Sequence, residues 1–442
     1  MAGTNLYRTP TIRTNDRKFT YSCWFKRSKI ESDQYLVTNY ESGTNRGWIS
    51  FQSDDKIFFY DIAGGTDRFE ATSNFKLRDT NSWYHLLYSV DTTASSNKTK
   101  IYINGVDRYS DFTVPVARTS NAEVGFQKGV TSNGFRVGSQ QTGSTSFDGL
   151  MSHINFVDGL QLDASAFGET DSTTGEWKIK TSPTVSEYGN NGFFILKDGN
   201  SVTDQSGKGN NFTVGGGTLT KTEDSPSNVF ATMNSLIPAP NRTLNNGNTY
   251  ISGSSGNDYS YSNTATLGAA SGKYYWEMQY EAAASTTNPA VGIVEYGKYE
   301  FNQNITSGTG GYVSFRFDGS KIINNVETTS YWTAPTSGQI VNFALDMDNL
   351  KFWIGVNGAW YGTTGNTNGD PANGTNPSAT LTVGDWTPAI RFLDGAYEFN
   401  FGNGYFGTTA VASAGTNASG NGIFEYDVPT GYTALTTKGL NL

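Results

Sequence analysis

The sequence is poor in the residues that metal and nucleophilic sites use most often. Its 442 residues include one cysteine, Cys23, and two histidines, His85 and His153. A single cysteine forms no disulfide within the chain, and so few cysteines and histidines exclude a zinc site of the usual kind. Neither histidine lies near a glycine-rich elbow around a serine, so a nucleophilic triad is not indicated. We expect both histidines to be satisfied strand residues and Cys23 to be a small buried hydrophobe.

Positive charge and long apolar runs are scarce as well. Lysine and arginine total 31 against 40 aspartates and glutamates, which gives a net charge of −9. Nucleic-acid binding depends on clustered basic residues, and no basic run is present, so we expect no nucleic-acid partner. No apolar run approaches the roughly 18–20 residues that cross a bilayer, and the N-terminus lacks the apolar core of a signal peptide. We therefore expect no membrane insertion and no standard secretion.

Glycine and aromatic residues are abundant. Glycine accounts for 51 of the 442 residues, and aromatics make up 14% of the chain against only 16% charged residues. This composition is typical of many short strands joined by turns, and it predicts an all-β protein. Single cores seldom grow beyond about 250–300 residues, so the length predicts two or three domains.

Alternating motifs in the C-terminal half predict paired strands. Residues 341–345 (VNFAL) and 350–354 (LKFWI) alternate on either side of a polar turn, which is the pattern of a hairpin. Together with residues 272–281 (GKYYWEMQYE) and 388–402 (PAIRFLDGAYEFNFG), they resemble the SPRY domain. This resemblance implies a two-sheet binding module without a catalytic centre, which we place at residues 241–442.

The N-terminal third carries a second set of strand motifs. Residues 17–27 (RKFTYSCWFKR), 83–90 (WYHLLYSV) and 100–107 (KIYINGVD) follow one another in order. The Asn-Gly pair within the last motif favours a tight hairpin, because both residue types tolerate positive φ. In order and spacing these motifs resemble the laminin-G or pentraxin branch of the concanavalin A-like jelly rolls. The resemblance predicts an antiparallel β-sandwich over residues 1–165.

The middle segment, residues 166–240, has short aromatic anchors separated by glycine and asparagine turns. This pattern predicts an irregular but ordered connector that packs against both sandwiches. As a series, its phrases resemble ones in structural proteins of tailed bacteriophages, between a jelly roll and a SPRY-like domain. The resemblance implies a virion protein that is assembled in the cytoplasm of the bacterial host.

Concanavalin A-like folds also include glucanases, which place acidic residues at alternating positions of one strand. Glu277 and Glu281 come closest to that pattern. However, Gln279 stands where those enzymes have an aspartate, and a neutral amide cannot tune the neighbouring carboxylates. We therefore expect both glutamates to be ordinary strand residues and the protein not to be an enzyme.

Calcium is a candidate cofactor, since laminin-G and pentraxin relatives often hold it with loop carboxylates and carbonyls. Asp148 and Asp158 flank a predicted strand near the end of the first sandwich. Asp346 and Asp348 crowd one turn of the second sandwich, beside Asn349. The alternative is that all four are ordinary turn acids.

Aromatic residues near predicted loop ends are candidates for ligand binding, because sugar rings stack on tryptophan and tyrosine. Residues 363–380 are almost purely polar and predict an exposed loop that directly follows two aromatics. The tentative binding residues, with a core role as the alternative for each, are Trp332, Trp360, Tyr361 and Trp386.

These observations favour an adhesin of a tailed phage, exposed on the particle as a tail fibre or spike and binding host-surface glycan. The alternatives are a purely structural capsid-decoration or tail-assembly subunit that binds other virion proteins and, third, a glycan depolymerase. We also expect a homo-oligomer, with a trimer favoured. Residues 7–18 precede the first predicted strand, and we expect this arm to dock on neighbouring subunits because it has no core of its own to join.

Overall fold

The fold is that of a computed structural model, which describes residues 3–129, 134–197, 199, 201–237, 242–253, 262–283, 289–296, 298, 310–392 and 395–441. The chain divides into two compact units, Met1–Lys221 and Thr222–Leu442. Each unit is built from antiparallel sheets, and helix is limited to short 3-10 turns among the described residues. The predicted all-β fold with antiparallel β-sandwiches is therefore confirmed.

Two large sheets form most of the first unit, or first sandwich, beside a separate two-stranded sheet. Among the described residues, an eight-stranded sheet has the order β10-β6-β5-β4-β3-β11-β1-β16, and a six-stranded sheet has the order β15-β12-β2-β7-β8-β9. The strands are β1 (Asn5–Arg8), β2 (Lys18–Arg27), β3 (Gln34–Ser42), β4 (Asn45–Phe51), β5 (Ile57–Ala63), β6 (Thr66–Ser73), β7 (Tyr84–Asp91), β8 (Thr99–Ile103), β9 (Val106–Asp107), β10 (Phe112–Val116), β11 (Phe135–Val137), β12 (Gly149–Asp158), β13 (Gly168–Thr170), β14 (Trp177–Ile179), β15 (Phe193–Ile195) and β16 (Thr213–Gly215). Short 3-10 turns occupy Tyr109–Asp111, Gly125–Gln127 and Ala164–Ala166.

The core of the first sandwich lies between these two sheets. In β2, every second side chain points inward, and Phe19, Cys23 and Phe25 are all fully buried. Rings from the opposite sheet pack against this layer. For example, the ring centres of Phe59 in β5 and Tyr88 in β7 are 4.9 Å apart. The expectation that Cys23 is a small buried hydrophobe is confirmed.

The N-terminal arm belongs to the first sandwich. Strand β1 pairs with both β11 and β16, with Leu6 opposite Val137 and Val214. Leu6 is buried in the core between the sheets. The predicted arm, residues 7–18, begins inside this strand: Tyr7 and Arg8 pair with Arg136 and Phe135, and Arg8 is buried. The expectation that the arm has no core to join is therefore wrong at its start, where it belongs to a strand whose partners lie far along the chain.

The segment expected as a connector is divided between the two units. Within residues 166–221, β15 extends the six-stranded sheet beside β12, and β16 pairs with β1. Within residues 222–240, Phe230 and Met233 are buried in clusters of the second unit. The observed division at residue 221 therefore differs from the expected boundaries at 165 and 240, since both parts of the segment complete a sandwich.

Two larger sheets also form the second unit, or second sandwich. Among the described residues, one follows the order β17-β18-β30-β20-β25-β26-β27, with β28 on β26 and β33 on β20, and the other follows β19-β29-β21-β22-β23-β24. The strands are β17 (Arg242–Asn245), β18 (Tyr250–Gly253), β19 (Ser262–Thr264), β20 (Lys273–Ala283), β21 (Ala290–Glu295), β22 (Tyr312–Arg316), β23 (Lys321–Ile323), β24 (Val326–Thr328), β25 (Ile340–Asp346), β26 (Lys351–Val356), β27 (Ala359–Trp360), β28 (Ala379–Thr380), β29 (Trp386–Arg391), β30 (Gly395–Asn400), β31 (Tyr405–Phe406), β32 (Thr409–Ala410) and β33 (Thr433–Ala434). A 3-10 turn follows at Gly439–Asn441.

Alternation again decides which side chains enter the core of the second sandwich. In the β20–β25 pair, Trp276 lies opposite Phe343, and the two rings stack 5.2 Å apart. Phe315 from the other sheet packs on Phe352 at 6.2 Å, which closes the layer. The hairpin predicted from residues 341–354 is the observed pair of β25 and β26.

A second apolar cluster lies on the outer face of the larger sheet in the second sandwich. Residues 411–437, which we call the C-terminal cover, bring Phe424 and Tyr432 onto this face. The ring of Phe424 lies 4.9 Å from that of Tyr275, and Trp353 beneath the cover is fully buried. The outer aromatics of this sheet therefore belong to an additional core.

Candidate functional site

The first sandwich presents aromatic side chains on the outer face of its eight-stranded sheet. In β5, Ile57 and Phe59 are buried in the core, so the intervening Phe58 and Tyr60 point outward. Trp48 of β4 lies directly opposite Tyr60, and Tyr35 of β3 is on the same side. We call Tyr35, Trp48, Phe58 and Tyr60 the aromatic platform. All four side chains are half-buried.

The rings of the aromatic platform contact one another across three neighbouring strands. The centres of Trp48 and Tyr60 are 4.4 Å apart with an angle of 33° between their planes. Tyr35 lies 6.1 Å from Trp48, and Phe58 lies 6.3 Å from Tyr60. Because the rings are fixed on paired strands, they form a surface that changes little when a ligand binds.

Polar and charged groups surround these rings. The hydroxyl of Tyr60 donates a hydrogen bond to Asp67 at 2.5 Å. Desolvation, together with this bond to Asp67, raises the pKa of Tyr60 to about 12, so the phenol stays protonated. The guanidinium of Arg46 lies 5.5 Å from the ring centre of Trp48. Beyond Trp48, the hydroxyl of Thr38 donates to the carbonyl of Ser139 at 3.1 Å, which places the chain around Ser139 beside the site.

This arrangement suits a ligand with both apolar and hydroxylated surfaces. A sugar ring offers a C–H face for stacking, while its hydroxyls pair with polar groups at the edge of the rings. The residue types are those expected for glycan binding, but the binding residues predicted from sequence lie in the other sandwich. Alternation could have revealed them, because residues 57–62 (IFFYDI) read as a strand with aromatics on both faces.

Three of the four predicted binding aromatics lie in the core of the second sandwich. The exposed fractions of Trp332, Tyr361 and Trp386 are 5%, 6% and 2%. The indole nitrogen of Trp332 donates to the carbonyl of Arg316 at 2.8 Å, and that of Trp386 donates to the carbonyl of Thr382 at 3.0 Å. The hydroxyl of Tyr361 accepts a hydrogen bond from the amide of Thr333 at 3.2 Å. For these three residues the structure therefore shows the core role that was the alternative to ligand binding.

Trp360 is the exception and is half-buried on the outer face. Its ring lies 6.2 Å from that of Tyr275 and packs against the cluster beneath the C-terminal cover. Trp360 and Tyr361 point to opposite sides of the sheet, so they do not form one stacking surface. The role of Trp360 in binding stays a prediction.

The polar loop that follows Trp360 is tied to the sheet. Lys351 donates to the carbonyl of Gly374 at 2.7 Å, and the indole of Trp353 donates to the carbonyl of Thr375 at 3.1 Å. Ser378 and Ala379 at its end are buried. Much of the loop is exposed, as predicted, but its end belongs to the core of the second sandwich, where Ala379 joins the main apolar cluster.

The aspartates predicted as calcium ligands do not converge. Asp148 and Asp158 stand at opposite ends of β12, about 30 Å apart at the usual rise per residue. Asp158 accepts hydrogen bonds from the amides of Thr14 and Asn191, and burial raises its pKa. Burial likewise raises the pKa of Asp148. The first pair therefore cannot share one ion.

The second pair of aspartates is also engaged within the protein. Asp346 is buried, forms an ion pair with Lys273 at 3.1 Å and accepts hydrogen bonds from Asn349. Asp348 accepts a bond from the amide of Gly272 at 2.7 Å. In the part of the chain that the structure describes, no three His, Cys, Asp or Glu side chains form a metal-binding group. Calcium stays a prediction, without geometric support at these four positions.

Glu277 is a buried structural carboxylate. It accepts hydrogen bonds from the hydroxyl of Tyr275 at 2.7 Å and from the amides of Glu425 and Tyr426, both at 2.9 Å. Burial raises its pKa to about 7, against the opposing effect of these donors. Glu281 is exposed further along the same strand. Glu277 therefore anchors the C-terminal cover and does not face a cleft.

His85 is buried between two tryptophans in the first sandwich. Its ring stacks on Trp24 at 4.9 Å, and it contacts Ser22 at 2.8 Å and the indole nitrogen of Trp177 at 3.1 Å. Desolvation lowers the pKa of His85 to about 3, so the ring stays neutral. His153 contacts the hydroxyl of Ser152 at 2.7 Å. The contacts of both histidines agree with the expectation that they are satisfied strand residues.

Comparison with known proteins bears on the first sandwich most directly. Residues 2–164 match the family described as the concanavalin A-like lectin/glucanases superfamily, Laminin_G_3. The predicted concanavalin A-like or laminin-G domain is therefore confirmed, and its fold is lectin-like. No curated protein matches the sequence.

Solved structures include similar sandwiches at low identity. The SPRY domain of human HERC1 is 19% identical with a TM-score of 0.26, covering 36% of this chain and 91% of that one. A provisionally named carbohydrate-binding protein of Bacteroides ovatus ATCC 8483 is 17% identical with a TM-score of 0.34, covering 49% and 57%. A heptameric SAP-like pentraxin of Limulus polyphemus is 12% identical with a TM-score of 0.24, covering 36% and 78%. These likenesses concern the fold alone.

Among the described residues, no helix is long and apolar enough to span a bilayer.

Proposed function

We propose that this protein binds glycans through the aromatic platform on the outer face of the first sandwich. The observation that carries the proposal is the contiguous surface of Tyr35, Trp48 and Tyr60, half-buried and fixed on adjacent strands. The lectin-like fold of the same region supports it. Stacking of a sugar ring on such a surface contributes roughly 1 kcal/mol per aromatic contact beyond the buried area.

The surroundings of the rings suit hydroxylated ligands. The aromatic platform is flanked by Asp67 and Glu70 on β6 and by Arg46 on β4. A carboxylate accepts hydrogen bonds from sugar hydroxyls, and a guanidinium donates hydrogen bonds to them. The rings exclude water from one face of the ligand, which strengthens hydrogen bonds at the edges. Binding therefore requires no large rearrangement of the sheet.

The particle that carries this activity is, in our proposal, the virion of a tailed phage. The phrases of residues 166–240 and the succession of a laminin-G-like and a SPRY-like sandwich support a virion protein exposed as a tail fibre or spike. In this setting the chain forms a homo-oligomer, with a trimer favoured, and contacts other virion proteins. Several copies on one particle raise the avidity of weak glycan sites for the host surface.

The proposed activity is binding without cleavage. Glu277, which came closest to a catalytic carboxylate, lies beneath the C-terminal cover with its oxygens occupied by protein donors. We expect purified protein to release no reducing ends from bacterial polysaccharides or β-glucans. Release that disappears in Glu277→Gln would contradict this expectation and favour a depolymerase.

The test compares tryptophans from the two sandwiches. Wild-type protein, Trp48→Ala and Trp360→Ala are titrated against a panel of bacterial surface polysaccharides and against whole cells, and each variant is also melted. We expect Trp48→Ala to lose binding by on the order of 1–3 kcal/mol while keeping its melting transitions. Trp360→Ala, also half-buried, is the matched comparison, and it binds as wild type does if the site is confined to the aromatic platform.

Other outcomes decide between the alternatives. Unchanged binding in Trp48→Ala with a loss in Trp360→Ala would move the site to the second sandwich. Absence of binding to every glycan, together with incorporation into particles, would favour the purely structural capsid-decoration or tail-assembly subunit.

A further inference from the structure

Arg46 is the cation at the centre of the aromatic platform. It lies two residues from Trp48 on the same face of β4, and its guanidinium carbon is 5.5 Å from the indole ring. Its charge also acts on the hydroxyls of Tyr35 and Tyr60, on which it lowers the pKa against the larger effect of desolvation. The charge of Arg46 therefore acts on three side chains of the aromatic platform.

This arginine lacks an internal carboxylate partner. Other arginines of the first sandwich are paired, as Arg27 is with Asp55 and Arg118 with Asp61. Across the residues that the structure describes, Arg46 has no carboxylate within ion-pair distance. Its Nε atom is buried without a hydrogen-bond acceptor, but the same holds for the paired Arg27 and Arg118, so the missing carboxylate is what distinguishes Arg46 from them. A ligand carboxylate would supply this partner.

On the same face of the sheet, the acidic groups lie on β6, which β5 separates from the strand of Arg46. Asp67 accepts the bond from Tyr60, and Glu70 stands opposite Tyr60 on β6. Strand β6 also carries Arg68, so these three side chains leave it a net charge of −1. A ligand that carries one carboxylate would be repelled by Asp67 and Glu70 and attracted by Arg46 on β4.

From this geometry we infer that the glycan is acidic, with a sugar ring stacked on Trp48 and Tyr60 and its carboxylate paired with Arg46. This inference rests on the proposed function, since it names the ligand class of the same site. A guanidinium pairs with a carboxylate through two parallel hydrogen bonds, which adds orientation as well as affinity. Uronic acids and sialic acids are the sugar classes that carry such a group.

The test uses pairs of polymers that differ only in charge. The probes are polygalacturonate, alginate and polysialic acid, each with its methyl-esterified form, which keeps the rings but removes the negative charge. We expect wild-type protein to bind at least one acidic polymer on the order of 10-fold more tightly than its ester. The difference should shrink with added salt, because a half-exposed ion pair is screened.

Variants of two arginines then locate the effect. Arg46→Gln should remove the preference for the acid, because it weakens binding of the acidic polymer more than binding of its ester, and Arg46→Lys should restore part of the preference. Arg136→Gln is the control, since Arg136 lies on the same sheet but is held by Asn5 at 2.8 Å and stacks on Tyr7. It should behave as wild type.

Two failures are distinguishable. Equal affinity for acid and ester, with Trp48→Ala still weakening both, would overturn the acidic ligand and leave glycan binding in place. Binding unaffected by Trp48→Ala would overturn the proposed function itself. Equal weakening of both polymers by Arg46→Gln would show that Arg46 only supports the rings, and absence of binding to every acidic polymer would also overturn the inference.

Discussion

The two sandwiches treat the outer face of their larger sheet differently. In the first, Trp48 and Tyr60 lie on that face and remain half-buried. In the second, Trp353 occupies the corresponding kind of position on the outer face and is fully buried beneath the C-terminal cover. The same alternation of aromatics on both faces of a strand thus produces a surface in one case and a second core in the other.

What decides the outcome is a segment far along the chain. The C-terminal cover reaches the outer face through Phe424 and is held by the bonds from the amides of Glu425 and Tyr426 to Glu277. A similar cover exists in the first sandwich, but on its other sheet, where Phe167 packs on Leu87. Aromatic residues on the outer face of a sheet are therefore candidate binding residues only where no later segment of the chain covers them.

The largest effect is expected where the cover is complete. Trp353→Ala should lower the free energy of unfolding of the second sandwich by roughly 3–5 kcal/mol, because truncation leaves a cavity between the sheet and the cover. Calorimetry of the full chain measures this, with the transition of the first sandwich as the internal reference. A loss below about 1 kcal/mol would mean that the cover contributes little and that the two faces are alike.

The second prediction concerns how the first sandwich is completed. Leu6→Ala should lower its free energy of unfolding by about 2–4 kcal/mol, since Leu6 is a core residue of β1. Chemical denaturation followed by tryptophan fluorescence measures the change. Ile12→Ala, a few residues further along, is the matched control, because Ile12 is 82% exposed and should cost almost nothing. Equal behaviour of the two variants would return the arm to a docking role.

A third prediction concerns the pH dependence of the second sandwich. Desolvation, together with the charge of Glu281, raises the pKa of Glu398 to about 7, and burial raises the pKa of Glu277 to about 7. The unfolded state releases these protons near the ordinary value of 4.5. The stability of the second sandwich should therefore be full below about pH 4.5 and should fall as pH rises to 7.

Melts at pH 5 and pH 8 measure this difference. Glu398→Gln should reduce the fall, because a neutral amide does not ionise. Glu281→Gln should reduce it less, since it removes only the repulsion. If the second sandwich of the wild-type protein is equally stable at pH 5 and pH 8, these carboxyls are already ionised at pH 5 in the folded state and the prediction is wrong.

The smallest effect on stability is expected at the uncovered face. Trp48→Ala should lower the free energy of unfolding of the first sandwich by about 1 kcal/mol or less, because the ring is half-exposed and leaves no closed cavity. The measurement is the same denaturation curve as for Leu6→Ala. A loss of 3 kcal/mol or more would place Trp48 in a covered layer and remove the contrast with Trp353.

Local sequence predicted the strands but not what covers them. The burial of Phe19, Cys23 and Phe25 on one face of β2 follows from alternation alone. The pairing of β1 with β16 joins residues about two hundred positions apart, and no local pattern indicates it. The same limit explains why Trp332, which follows a turn, was expected at a rim and lies in the core.

Hydroxyl-radical labelling read by mass spectrometry tests the central contrast most directly, because one experiment reports the exposure of every aromatic side chain. Trp48 and Tyr60 should be oxidised much faster than Trp353 and Tyr275, and a bound polysaccharide should protect the first pair only. Equal labelling of the two pairs, or protection of neither, would contradict an open glycan-binding face on the first sandwich and a closed one on the second.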